Sequence, residues 1–128
     1  MLKQEQVHLD YFDNKIAELK VRPTALLPLW HAGGYILGLC SSANGTKGAM
    51  LVTKAVEEVI EQHYQEQINY LAETCLDAEL LKTITKFRHD EIEHKEIATT
   101  DDETTMDMVL AFLVKKICKT AICLSKKI

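Results

Sequence analysis

The sequence FRHDEIEH, residues 87–94, decides the fold of this 128-residue chain. Counting outward from it by threes and fours predicts a helix over residues 77–98 with one continuous stripe of mainly apolar side chains. Glu91 and His94 lie on that stripe, where an unpaired carboxylate would be costly to desolvate, so something positive must compensate it. Residues three apart on a helix share a face and can bind one ion together. The stripe comprises Leu80, Ile84, Phe87, Glu91, His94 and Ala98.

A second Glu-x-x-His pair, Glu5 and His8, begins another predicted helix, residues 2–20. One such pair in a helical chain rich in glutamate is more often a solvated surface pair than a pair of metal ligands. Two pairs on separate helices, each continuing an apolar stripe, favour a shared cation instead. The stripe that Glu5 and His8 continue comprises Leu9, Phe12, Ile16 and Leu19.

A further acid, Glu57, lies on the apolar stripe of a long predicted helix, residues 49–73. Carboxylates and imidazoles that converge from several helices match the di-iron or di-manganese carboxylate bundle. Zinc is usually satisfied by four ligands and does not need bridging carboxylates. The predicted fold class is therefore all-α, a ferritin-like di-iron carboxylate helix bundle. The stripe around Glu57 continues with Ile60, Tyr64, Ile68 and Leu71.

The two motifs also predict a role for each ligand. By the symmetry of the two Glu-x-x-His pairs, Glu5 and Glu91 are expected to bridge the two metals. His8 and His94 would each bind one metal, and Glu57 would be a terminal ligand. Open positions on such metals can bind dioxygen.

The composition agrees with a helical protein in one domain, residues 1–128. Hydrophobic residues make up 47% of the chain, with 5 Gly and 2 Pro, so helix breakers are rare. The net charge of −4 gives no support to a nucleic-acid partner. The cysteines lack the spacing of a zinc or redox motif and are predicted to be buried free thiols. They are Cys40, Cys75, Cys118 and Cys123.

Between these helices the sequence predicts two breaks. Residues 41–48, SSANGTKG, have the composition of a turn. Residues 100–103, TDDE, are typical of a capping box that opens a last helix, residues 103–126.

Two apolar segments raise the question of a membrane. Residues 26–40 carry no charge, but they are too short and too interrupted to span a bilayer, which needs about 20 apolar residues. They predict a kinked helix that is either half-immersed in the membrane interface or deeply packed. The last helix has an apolar stripe flanked by lysines, which fits either a membrane interface or an ordinary bundle core. That stripe comprises Val109, Leu110, Leu113, Ile117, Ala121 and Leu124.

Taken together, several stretches resemble a known family, the 5-demethoxyubiquinone hydroxylases of ubiquinone (coenzyme Q) biosynthesis. The likeness covers almost the whole chain and is far more specific than the metal pattern, which other ferritin-like proteins share. It rests on Glu5-x-x-His8, VRPTALLPLW at 21–30, GAM at 48–50, AVEEVIEQHY at 55–64, FRHDEIEH at 87–94 and AICLS at 121–125.

The resemblance implies a membrane-bound di-iron monooxygenase that hydroxylates the ring of demethoxyubiquinone, with two iron ions and with NADH as electron donor. It implies that Glu5, His8, Glu57, Glu91 and His94 are the iron ligands. It also places the pair His63 and Tyr64 beside the site, as catalytic candidates.

The same resemblance implies the partners and the location. The substrate would be a polyprenyl quinone, and the protein would associate peripherally with the matrix side of the mitochondrial inner membrane or the cytoplasmic side of a bacterial inner membrane. A lipid-presenting helper protein of the coenzyme Q assembly and a second copy of the chain are the expected protein partners.

One departure from the family pattern qualifies the expected activity. Family members begin with another helix that supplies the remaining terminal glutamate, and this sequence starts just after it. The chain is therefore expected to be an N-terminally shortened form in which one metal has fewer ligands. Two alternatives follow: a catalytically impaired form that docks only onto the membrane and partner proteins, or a ferritin-like iron-handling protein.

Overall fold

The computed structural model describes residues 1–99 and 103–128, and within these ranges the regular structure consists of α-helices. Each predicted helix has a counterpart, with small shifts at its ends. The all-α prediction is confirmed. The helices are α1 (Leu2–Leu19), α2 (Leu27–Ala43), α3 (Gly45–Thr74), α4 (Ala78–Ile97) and α5 (Thr105–Ser125).

The long helix α3 is the centre of the bundle, because α2, α4 and α5 all pack against it. Two buried clusters lie on different parts of its surface. The first joins α3 to α4 through Tyr64, Leu71, Ile84 and Phe87. The second joins α3 to α5 through Val52, Ala55 and Val114.

Helix α1 docks on the first cluster. Tyr11 and Phe12 meet the ring of Phe87 nearly edge-on, with ring centroids 5.5 Å and 5.8 Å away. One turn later, Lys15 Nζ lies 3.2 Å from Asp77 Oδ2. Asp77 also caps the start of α4, since its Oδ1 accepts a hydrogen bond from the backbone N–H of the third residue of that helix, at 2.8 Å. These contacts, in the middle of α1, fix the orientation of this helix on α4, and with it the face that its first turns present to α4.

The inward face of α1 differs in part from the predicted stripe. Leu9 and Leu19 are exposed, whereas His8 is buried and Phe12 and Ile16 are half-buried. The difference arises because α1 contacts its neighbours along one edge only, so part of its apolar surface stays uncovered.

The predicted turn over residues 41–48 is wrong in extent. Helix α2 continues through Ala43 and α3 begins at Gly45, so the break consists of Asn44 alone. The chain reverses there because Gly45 adopts a φ of 71°, a left-handed conformation that glycine tolerates without strain.

Gly48 allows this tight junction. A Cβ atom on Gly48 would lie 2.5 Å from the Cβ of Asn44 and 2.8 Å from the carbonyl oxygen of Ser41. We predict that Gly48→Ala lowers the free energy of unfolding by about 1–2 kcal/mol, because the clash outweighs the better helix propensity of alanine. Gly33→Ala is the matched control, since its Cβ would meet open space. Urea unfolding that shows equal effects of the two substitutions would contradict the close approach.

The prediction of buried thiols is also wrong. Cys40, Cys75 and Cys123 are exposed and Cys118 is half-buried, although all four are free as expected. Apolar neighbours of the exposed cysteines in the sequence, Leu39, Leu76 and Leu124, are exposed as well, so local composition did not report burial.

The start of α5 also differs from the prediction. Thr100, Asp101 and Asp102, which belong to the predicted capping box, lie outside the described residues. The capping box that the structure shows is formed by Thr104 and Asp107.

Much of the predicted apolar stripe of α5 faces outward. Leu110 and Val114 pack against the bundle, while other apolar side chains of α5 and α2 are exposed. We call these exposed side chains the outer apolar face. The outer apolar face comprises Leu29, Tyr35, Ile36 and Leu39 on α2 and Val109, Phe112, Leu113, Ile117 and Leu124 on α5.

Within the described ranges, no helix is long and apolar enough to cross a membrane.

Candidate metal centre

Four side chains from three helices converge where α1, α3 and α4 meet. Glu5, Glu57, Glu91 and His94 each offer a ligand atom, and these atoms all lie within 4.8 Å of one another. His94 Nδ1 lies 3.0 Å from Glu5 Oε1, 3.5 Å from Glu91 Oε2 and 3.9 Å from Glu57 Oε1. Oxygen and imidazole donors gathered in this way suit a divalent transition metal.

His8 extends the cluster on the other side of Glu91. Its Nδ1 lies 3.2 Å from Glu91 Oε1, while the other oxygen of Glu91 faces His94. Glu91 thus presents one oxygen to each histidine, which is the arrangement a bridging carboxylate needs. The structure therefore brings together all five side chains that the sequence singled out, and their role as ligands stays a prediction.

Burial makes this cluster electrostatically unfavourable on its own. Glu91 and His94 have side chains that are 1% and 0% exposed, and Glu57 is also buried. Burial, followed by the hydrogen bond and charge of Glu57 and the charge of Glu5, raises the pKa of Glu91 from 4.5 to about 10. Without a cation, this carboxyl group is therefore neutral at pH 7.

The unsatisfied atoms of the cluster fit a pair of metal ions. The Nδ1 atoms of His8 and His94 and the Oε2 atoms of Glu57 and Glu91 are buried without a partner in hydrogen-bonding geometry. Buried polar atoms are nearly always satisfied in folded proteins. Metal ions would satisfy all four, and a set of carboxylates with two imidazoles is a donor set that iron and manganese accept.

Glu5 differs from the other members because its side chain is 46% exposed. The cluster is thus closed by α3 and α4 on one side and open to solvent near α1.

The outer nitrogen of each histidine, Nε2, also has a hydrogen-bonding partner. His8 Nε2 lies 3.0 Å from Asp90 Oδ2, and His94 Nε2 lies 3.0 Å from Gln4 Oε1. If each Nε2 carries the proton, each Nδ1 keeps its lone pair for a metal. Sequence analysis missed both residues, although each immediately precedes the glutamate of a Glu-x-x-His pair.

Glu61, one turn after Glu57, holds the ligand-bearing part of α4 in place. Its Oε1 accepts a hydrogen bond from Arg88 at 3.0 Å and its Oε2 accepts one from Lys95 at 2.5 Å. Arg88 and Lys95 stand three residues before and four residues after Glu91, on the same face of α4. Glu61 is therefore engaged with cations of α4 and is not a spare ligand.

Tyr64 and His63, predicted to lie beside the site, point in different directions. Tyr64 is buried with its ring stacked on Phe12, at 6.3 Å between centroids. Burial and the charge of Glu91 raise the pKa of Tyr64 well above its usual value, so it stays a neutral phenol. His63 instead faces a groove near the end of α5, where burial and Lys126 lower its pKa. Tyr64 is thus the member of the pair nearer to the carboxylates.

One family of known proteins matches almost the whole chain. The family described as "Ubiquinone biosynthesis protein COQ7" matches residues 1–125. The chain belongs to the COQ7 family. The resemblance inferred from the motifs is thereby confirmed, and the all-helical structure is consistent with the ferritin-like bundle predicted for it.

The chain is also similar in sequence to individual proteins named as hydroxylases. The chain is 43% identical to the "NADPH-dependent 3-demethoxyubiquinone 3-hydroxylase, mitochondrial" of Dictyostelium discoideum, over 100% of this chain and 60% of that protein. It is 39% identical to the "3-demethoxyubiquinol 3-hydroxylase" of Rhodospirillum rubrum, with the same coverage. It is also 39% identical to the human protein, which has the same name as the Dictyostelium discoideum protein, over 100% of this chain and 61% of that protein. The chain thus spans about 60% of the length of these relatives.

Proposed function

We propose that this COQ7-family chain holds two iron ions in the cluster of Glu5, His8, Glu57, Glu91 and His94 and hydroxylates the ring of demethoxyubiquinone. The observation that carries the proposal is the buried set of unsatisfied carboxylate and imidazole atoms where three helices meet. The names of the relatives supply the substrate class and the reaction. The names of the Dictyostelium discoideum and human relatives specify NADPH, whereas the motif resemblance predicted NADH, so both reductants belong in the test.

Each residue of the cluster has a distinct task in this proposal. Glu91 would bridge the two metals, a role that its two oxygens support because one faces each histidine. Glu5 is the second predicted bridge, and Glu57 is a terminal ligand. Bound iron would supply the activation of dioxygen that ring hydroxylation requires.

Tyr64 and Phe12 close the cluster on its apolar side. Tyr64 belongs to the buried cluster that joins α3 to α4, and Phe12 packs against this cluster with its ring stacked on that of Tyr64. They exclude water there, and the raised pKa of Tyr64 keeps its hydroxyl a proton donor. His63 is the more distant catalytic candidate and stands in the groove beside α5.

A cleft between α2 and α3 offers the quinone ring a route to the cluster. It has a volume of about 330 Å³, and Glu57 lies in its wall. On the α2 side its wall includes Gly34 and Gly38, whose missing side chains leave the space open. An apolar cleft that ends at a predicted metal ligand suits a flat ring on an isoprenoid tail.

Filling this cleft is predicted to block the quinone without disturbing the metals. Gly38→Leu places a side chain in open space within the cleft, so we expect the KM for a demethoxyquinone to rise at least about tenfold while iron content stays unchanged. Gly33→Leu is the matched control, because Gly33 lies on the same helix and faces open space. Equal kinetics of the two variants, measured with the same quinone, would place the substrate elsewhere.

The outer apolar face supports a peripheral attachment to membranes. The two helices that carry its exposed side chains, α2 and α5, are linked by a hydrogen bond from Trp30 Nε1 to Ser125 Oγ at 2.8 Å. Relatives are named mitochondrial, and we propose the matrix side of the inner membrane as the location. The same face would meet a lipid-presenting helper protein or a second copy of the chain.

Vesicle binding tests this attachment. We predict that Ile117→Asp weakens binding to vesicles containing anionic lipid by roughly tenfold, because it removes an exposed apolar side chain and adds a charge. Thr120→Asp adds the same charge one turn along α5 at a polar position and should have a much smaller effect. If the unaltered chain does not bind such vesicles, the alternative of a ferritin-like iron-handling protein gains support.

The proposed reaction is tested on the chain loaded with iron. Metal analysis should find two irons per chain, and incubation with a short-tailed demethoxyquinone and NADH or NADPH should give a product heavier by one oxygen atom. An iron-loaded protein that hydroxylates no such quinone would reject the enzyme. Absence of iron combined with vesicle binding would favour the form that only docks onto membranes and partners.

A further inference from the structure

The outer nitrogens of the two histidines have partners of unlike charge, and we infer that this difference makes the two metal positions unequal. His8 is paired with the carboxylate of Asp90, whereas His94 is paired with the neutral amide of Gln4. The inference rests on the proposed metal pair and concerns how the chain divides its electron donation between the two ions.

The two outer hydrogen bonds are built from the same arrangement of residues, although three carboxylates lie near His94 Nδ1 and one lies near His8 Nδ1. Gln4 precedes Glu5 on α1 and reaches His94 on α4, while Asp90 precedes Glu91 on α4 and reaches His8 on α1. In both cases the distance from Nε2 to the oxygen is 3.0 Å. Both Nδ1 atoms face carboxylates and lack a hydrogen-bonding partner. The two outer hydrogen bonds therefore differ in the charge of the acceptor.

The acceptor controls how strongly a histidine donates electrons. A hydrogen bond to a carboxylate is roughly twice as strong as one to a neutral amide, and it makes the ring a more basic ligand. His8 would thus donate more electron density to a bound metal than His94 would. Gln4 and Asp90 are positioning residues that set this difference.

Titration with Co²⁺ in place of iron, followed by visible absorption and calorimetry, tests the inference without turnover. In the unaltered chain we expect two distinct binding constants. Gln4→Glu should strengthen one of them by about tenfold, and Asp90→Asn should weaken the other by about tenfold. The double variant should show both changes, because each substitution acts through a different histidine.

Two controls separate this effect from charge and folding. Val7→Glu adds the same charge as Gln4→Glu on an exposed position of α1 that the structure does not join to His94, and it should change either constant by less than about threefold. Circular dichroism should show unchanged helix content for every variant.

Three results would overturn the inference: both substitutions altering the same constant, Val7→Glu reproducing the effect of Gln4→Glu, or no cobalt bound by the unaltered chain. Two unequal constants, each changed by its own substitution, in a protein that hydroxylates no quinone would reject the proposed function and support the inference.

Discussion

Replacing Glu91 with glutamine is expected to abolish binding of the metal pair and, at the same time, to make the metal-free protein more stable by about 3 kcal/mol at pH 7. Glu91 faces both histidines, so its loss removes the carboxylate best placed to join the two metals. An amide keeps the shape of the side chain but cannot supply the negative charge that bridging needs.

The gain in stability follows from the cost of keeping Glu91 neutral. In the metal-free fold its pKa is raised from 4.5 to about 10, so folding at pH 7 requires the uptake of a proton that the unfolded chain does not hold. Each pH unit between the unfolded pKa and the working pH costs about 1.4 kcal/mol. Glutamine needs no proton, and the gain should appear as a rise in Tm of roughly 10 °C.

Glu93→Gln is the matched control, because Glu93 lies on the same helix but is exposed. It should leave both the iron content and the Tm of the metal-free protein nearly unchanged. Metal analysis and thermal unfolding of the two variants decide the question. Full iron occupancy in Glu91→Gln would show that the ligand assignment is wrong.

The metal-free protein is also expected to lose stability as the pH rises from 7 to 9. Between its unfolded and folded pKa values, Glu91 binds more protons in the folded state than in the unfolded state, so raising the pH favours unfolding. The slope should be about −1.4 kcal/mol per pH unit, or about 3 kcal/mol over this range. This range lies above the titration of His63, whose lowered pKa has the opposite effect at lower pH. Burial raises the pKa of Cys118 from 9.0, which adds a smaller loss of stability of the same sign close to pH 9.

Bound metal should remove this dependence. A cation replaces the proton on Glu91, and its affinity increases as the pH rises because proton and metal compete for the same oxygens. Denaturant unfolding with and without Co²⁺ at pH 7, 8 and 9 measures both slopes. The Glu91→Gln variant without metal should also give a nearly flat profile. A metal-free protein with no loss of stability over this range would contradict the neutral, buried state of Glu91.

Helix α4 shows where sequence reasoning succeeded. Its stripe from Leu80 to Ala98 was predicted with the two ligand candidates in place, and the structure buries Ile84, Phe87, Glu91, His94 and Ala98. The prediction worked because α4 is covered along one continuous face, so burial follows the helical period. Polar residues on such a face must have partners, and that requirement identified the cluster.

The junction of α2 and α3 shows where composition misled. Ser, Asn and Gly between residues 41 and 48 indicate a turn, yet the helices continue to either side of Asn44. The hydroxyls of Ser41 and Ser42 donate hydrogen bonds to backbone carbonyls one turn earlier, at 2.9 Å and 2.8 Å, so they are satisfied inside α2. Helix propensities differ by at most about 1 kcal/mol per residue here, which is less than the gain from packing.

The sequence by itself determined the helical class, the five ligand candidates and the family, because these depend on the identity and period of residues within single helices. Only the tertiary structure decided which apolar face of α5 is covered, that the cysteines are exposed, and that Asp90 and Gln4 hold histidines of other helices. The physical reason is that these properties depend on distances between helices that are far apart in the chain. A period of 3.6 residues states which side chains share a face, and it does not state what that face meets.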